Sequence, residues 1–134
     1  MNQIKHILFL CPHAAAKSVL AMTYFADLAG KAGLDITVRN AGTEPDPILN
    51  PAVGGYLLAE GFDLFGFVPG LLTAEHFNAA DMVVSIGCIE AEQVPAGKAF
   101  RDWSDVPMLS DDFKLARDKI HAHVVELVNE LSDR

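Results

Sequence analysis

The sequence predicts an α/β fold: a single three-layer domain, residues 1–134, built on a four-stranded parallel sheet with helices on both faces. Three observations carry the prediction. Four short runs have the length and the apolar or β-branched content of strands: Ile4–Leu10, Asp35–Asn40, Met82–Ile86 and the neighbourhood of Lys98–Arg101. Helix-forming segments separate them, which implies parallel strands joined by crossovers. The 134 residues hold no internal repeat, low-complexity run or linker, and they suffice for one real core. Right-handed crossovers permit the strand order 2-1-3-4, which sets the first and third strands side by side.

Taken in order, Ile4-Lys5-His6-Ile7-Leu8-Phe9-Leu10 reads as a buried strand. Cys11-Pro12-His13-Ala14-Ala15-Ala16-Lys17-Ser18 follows as a tight loop that enters a helix, whose apolar residues are Val19, Leu20, Met22, Tyr24, Phe25 and Leu28. Gly30-Lys31-Ala32-Gly33 stops that helix. Asp35 to Asn40 alternates polar with apolar, as a half-exposed edge strand does. The prolines of Ala41–Pro47 exclude helix, and this loop falls on the same side as Cys11, where open α/β sheets bind ligands. Asn50 caps a helix from Pro51 to about Glu60. Phe62, Phe65 and Phe67 read as an aromatic lid on the core. Thr73 caps a short helix, Asp81 precedes the third strand, and Gly87-Cys88 sits just past that strand's end. Ser110 is the expected cap of the last helix, with Asp111 and Asp112 in its first turn. Phe113, Ala116, Ile120, Val124, Leu127, Val128 and Leu131 form its buried stripe.

Composition narrows the function classes. A net charge of −8, from 10 basic and 18 acidic residues, argues against nucleic acid or an anionic membrane as partner. No apolar stretch is long enough to span a bilayer, and the chain runs into a strand where a leader peptide would lie. Two cysteines make no disulfide framework, so the cytoplasm is the expected compartment. The five histidines are scattered, with His121 and His123 two apart on a helix, so neither a metal nor another cofactor is expected.

Cys11 is where chemistry concentrates. Amide N–H groups at a helix start are unsatisfied, and the helix dipole adds partial positive charge. Together they favour thiolate over thiol and form a pocket for a tetrahedral oxyanion. Ser18 can donate a hydroxyl to the sulfur, and Lys17 brings a full positive charge. The competing reading is a small core cysteine ending a buried strand.

The stretch resembles the C-x5-R-[ST] loop of low-molecular-weight protein tyrosine phosphatases and the related thiol-linked arsenate reductases. The likeness continues through Ala41-Gly42-Thr43, similar to the family's S-A-G-T, through Asp81–Cys88, and through Arg101-Asp102-Trp103. The resemblance implies Cys11 as nucleophile, Ser18 as its supporting hydroxyl, and Pro12, His13, Ala14, Ala15, Ala16 and Lys17 as the oxyanion-binding loop. It also implies the 2-1-3-4 sheet. The chain departs from the pattern at named places: Lys17 stands for the loop arginine, and His13-Ala14 for the usual Gly-Asn. No Asp-Pro follows Trp103, so Asp105 is the candidate general acid. Cys88 reads either as a small buried residue or, as the reductases imply, as a resolving thiol.

Two enzymatic expectations follow, with phosphate, arsenate or a phosphomonoester as ligand. A phosphatase forms and hydrolyses a phosphocysteine on Cys11. An arsenate reductase uses Cys11 and Cys88, and draws on a small thiol or thioredoxin-like reductant. The third expectation is a non-catalytic domain that binds an oxyanion or a partner.

Overall fold

Strand β1 (His6–Leu10) lies between β2 (Thr37–Ala41) and β3 (Met82–Ser85), with β4 (Ala99–Asp102) outside β3, in the computed structural model, which describes residues 3–133. All three pairings are parallel, and Leu10 stands opposite both Ala41 and Ser85. The order β2-β1-β3-β4 is the one the crossovers permit. Asp81 anchors the entry to β1, its carboxylate accepting the amides of Lys5 and His6 at 2.9 and 3.0 Å.

Because side chains alternate along a strand, β1 feeds two cores. Ile7, Phe9 and Cys11 join Met82, Val84 and Trp103 under α1 (Lys17–Lys31), α2 (Pro51–Ala59) and α4 (Phe113–Ser132). Phe9 sits between Phe25 and Trp103, with ring centroids 5.9 Å from each. Leu8 and Leu10 face the other way, against Val83, Ile89 and Phe77 of the short α3 (Ala74–Ala79). Burying each such large side chain stabilises by about 1.5–3 kcal/mol, against at most about 1 kcal/mol for an exposed ion pair. Packing on the sheet therefore holds the domain. Among the described residues, no helix is long and apolar enough to cross a membrane.

Two expectations are corrected. Asp112, not Ser110, caps α4, its carboxylate accepting the Leu115 amide at 3.0 Å. Ser110 and Asp111 belong to the preceding turn, because Asp112 is the capping side chain next to the first buried-stripe residue, Phe113. Phe65 is 97% exposed, while Phe62 and Phe67 do pack on the core. Asp63 accepts the Phe65 amide and Phe67 donates to Leu64, so a tight turn projects Phe65 outward. Asn50 caps α2 as expected, accepting from Ala52 and Val53.

Candidate active site

The loop from Cys11 to Ala16 carries the chain out of β1 and into α1. Cys11 is buried, with Sγ 3.0 Å from the Ser18 hydroxyl and 3.3 Å from the Ser18 amide, which donates to it. The segment after β2 takes up the loop's carbonyls. Glu44 N donates to Pro12 O at 2.8 Å, Asp46 N to His13 O at 3.0 Å and Asn50 N to Ala15 O at 3.1 Å. Asn40 Nδ2 donates to Ala14 O at 3.1 Å and also to Ser18 Oγ at 3.0 Å. The loop's own amides are left largely free. Among the described residues, those of His13, Ala15, Ala16 and Lys17 have no acceptor. A bend whose carbonyls are engaged and whose amides are open is the donor array an oxyanion needs.

The loop's turn is tight enough to strain it. Ala14 has φ 55°, the one non-glycine residue in the left-handed region among those described. For alanine that conformation costs about 1–2 kcal/mol, so the surrounding contacts must hold it. Gly42 makes the close fit possible: a Cβ there would lie 2.4 Å from Pro12 O and 2.6 Å from Cys11 O.

Lys17 is half-buried and opens α1, and its ammonium reaches toward β3's end, 3.7 Å from where a Cβ on Gly87 would lie. Cys88 shares the sheet's carboxyl edge with Cys11, but it packs on the other core cluster, the one that includes Leu8, Leu10 and Ile89. Its amide donates to Ser85 Oγ, and its sulfur lies 4.0 Å from Thr43 Oγ1. Burial pushes the Cys88 thiol up, Thr43 opposes this, and charge on Cys11 adds to the rise. Asp105 is exposed and lies against α4: both its oxygens meet His123 Nε2, at 2.9 and 3.0 Å, with Lys119 Nζ at 3.8 Å. His123 in turn stacks on Trp103, with centroids 4.7 Å apart. His121 meets Tyr24 edge-on instead, so the two histidines diverge as their spacing implied.

Residues 6–132 match the profile of the low molecular weight phosphotyrosine protein phosphatases. The chain belongs to that family. Its members are phosphatases or arsenate reductases. A Halobacterium salinarum protein described as a candidate arsenate reductase is 25% identical over 129 residues, covering 92% of this chain and 91% of its own. The thioredoxin-dependent arsenate reductase Cg_ArsC1' of Corynebacterium glutamicum is 26% identical, with a TM-score of 0.81. The alignment covers 97% of this chain but 63% of that one. A low molecular weight protein tyrosine phosphatase from Bacillus subtilis shares the fold at 22% identity, with a TM-score of 0.76 over 96% of this chain and 97% of its own.

Within this phosphatase family frame, the structure brings Cys11, Ser18 and the loop amides together, with Lys17 at the loop's exit. Asp105 it ties to α4. The residues that sequence reasoning passed over are Asn40 and the carbonyl-binding amides of Glu44, Asp46 and Asn50. One signal pointed toward them: a proline-bearing loop after a parallel strand lies on the ligand side of the sheet.

Proposed function

We propose that the chain is a cysteine-thiolate enzyme acting on a tetrahedral oxyanion, and that its reaction is phosphomonoester hydrolysis. The supporting observation is the Cys11 sulfur, held by the Ser18 hydroxyl and amide beside a loop of acceptor-free amides. Cys11 Sγ attacks phosphorus in line, so an S–P bond forms while the ester P–O bond breaks. The amides and the Lys17 ammonium hold the charge that develops on the equatorial oxygens. For Asp105 to act as the general acid it must itself carry the proton and leave its two contacts with His123 Nε2, at 2.9 and 3.0 Å, to reach the leaving oxygen. Water then attacks the phosphocysteine, the S–P bond breaks, and inorganic phosphate leaves. The setting is the cytoplasm, where free thiols stay reduced.

A second reading, arsenate reduction, has one observation in its favour: Cys11 and Cys88 follow the ends of two directly paired parallel strands, β1 and β3. There Cys88 attacks the sulfur of a Cys11–arsenate adduct. The S–As electron pair passes to arsenic, and arsenite and a Cys11–Cys88 disulfide result. A small thiol or thioredoxin-like reductant then reopens the bond. Burial of Cys88, which disfavours its thiolate, and its place on the other core put this reading second.

The deciding experiment measures aryl phosphate and arsenate turnover in wild type beside Cys11→Ser and Cys88→Ser, with added thiol in the arsenate arm. Phosphate release lost only in Cys11→Ser supports hydrolysis. Thiol-dependent arsenite release lost in both variants replaces it with the reductase. No turnover of either, with Cys11 still reactive to alkylation, leaves an oxyanion-binding domain.

A further inference from the structure

Asn40 is the penultimate residue of β2, on the same strand face as Val38, which packs on the Cys11 core. Its Nδ2 touches two oxygens, Ala14 O at 3.1 Å and Ser18 Oγ at 3.0 Å. The first contact fixes the amide's orientation, because a carbonyl only accepts and must therefore face the NH2 group. Ser18 Oγ then receives the second N–H as an acceptor. Protonated, the Cys11 thiol 3.0 Å away donates to Ser18 Oγ; ionised, it can only accept, and the uncommitted Ser18 hydrogen then turns to it.

A serine in a helix has an alternative use for that hydrogen. Ser18 lies in the first turn of α1, and the rival acceptor near it is Ala14 O in the preceding loop, since one Asn40 Nδ2 touches both that carbonyl and Ser18 Oγ. Asn40 occupies both ends of that alternative. The strained turn sharpens the need: Ala14, at φ 55° and fully buried, offers only a methyl group, so no side chain there can hold the serine.

We infer that Asn40 is a positioning residue for the nucleophile, turning the Ser18 hydroxyl onto the Cys11 sulfur and holding the Ala14 carbonyl away from it. The chain of donation runs from Asn40 to Ser18 to Cys11, from the edge strand into the site. Charge-assisted bonds are roughly twice as strong as neutral ones, so the last link favours the thiolate. The inference takes Cys11 as nucleophile from the proposed function and otherwise stands on these contacts.

The test is alkylation of Cys11 by iodoacetamide in a Cys88→Ser background, which reads the thiol without turnover. At about pH 7, Asn40→Ala slows labelling by about tenfold, and the deficit closes near pH 10, where base alone ionises a thiol. Ser18→Ala gives a loss of the same kind, and the double variant is no slower than Ser18→Ala alone, because Asn40 acts through Ser18. Asn40→Asp keeps the side-chain shape without either donor, and it serves if Asn40→Ala does not fold. A wild-type labelling rate in either Asn40 variant overturns the inference. So do losses that multiply in the double variant, or a deficit that persists at high pH. Absent phosphate turnover alongside the expected Asn40–Ser18 coupling overturns the proposed reaction and leaves the positioning role standing.

Discussion

Replacing Gly42 by alanine tests whether the brace behind the loop sets the site's geometry. The new Cβ would sit 2.4 Å from Pro12 O, 2.6 Å from Cys11 O and 2.9 Å from Ala14 N, all backbone atoms. Carbon and a carbonyl oxygen approach to about 3.3 Å at closest, so Pro12 O or Gly42 must retreat by about 0.9 Å. No flexible side chain can absorb this. Pro12 O is held by Glu44 N at 2.8 Å, and Gly42 by its bonds to Gly70 and Leu72. Overpacking of this kind costs about 1–3 kcal/mol, and one broken backbone hydrogen bond adds about 1 kcal/mol. The expected loss is about 3 kcal/mol, or about 10 °C in Tm for a chain of this size. A misplacement of about 1 Å at reacting groups costs about a hundredfold in rate, so aryl phosphate turnover falls further than stability explains. Thermal melts and turnover below the variant's Tm measure the two effects separately. Wild-type turnover in a folded Gly42→Ala protein would refute the view that the segment after β2 positions the loop.

Lys17→Arg replaces a point charge with a planar fork that grips two phosphoryl oxygens, and aryl phosphate turnover rises about tenfold, which corresponds to about 1.4 kcal/mol. A fall instead shows a site fitted to lysine, whose ammonium lies over Gly87. Cys88, its thiol raised by burial, alkylates more slowly than Cys11 near neutral pH, and mass mapping that finds equal labelling contradicts this. Burial and the charge of Arg39 hold the His76 imidazole below its usual value, opposed by Glu75, while its Nδ1 accepts the Thr73 amide at 3.0 Å. The folded state therefore disfavours the proton: stability is full above about pH 6.5 and is lost as pH falls through the folded value, by about 1 kcal/mol for the lost cap. His76→Gln flattens that part of the stability–pH curve, and an unchanged curve counts against the assignment.

What the sequence determined by itself was local in origin. Cys11 follows directly on an apolar strand and precedes a helix, and that adjacency is enough to place the thiol at helix-start amides. Strand-and-helix alternation with right-handed crossovers likewise limits the sheet to few orders, and β2-β1-β3-β4 is among them. The Asn50 cap was legible for the same reason, since it acts on amides two and three residues away. The tertiary structure decided the rest. Whether Asn40 meets solvent or Ser18 depends on how an edge strand lies against a helix 22 positions earlier in the chain. Asp105 meets His123 because α4 packs under Trp103. The two thiols share an edge but not a core, because the chain turns after β3 and packs Cys88 on the cluster that includes Leu8 and Leu10, while Cys11 belongs to the other. Ala14 adopts a conformation that alanine resists, because contacts from residues 40–50 outweigh its strain. Local propensity and spacing act over a few residues and are written in the chain; side-chain contacts across packed elements depend on register and rotation, and only the assembled core sets those.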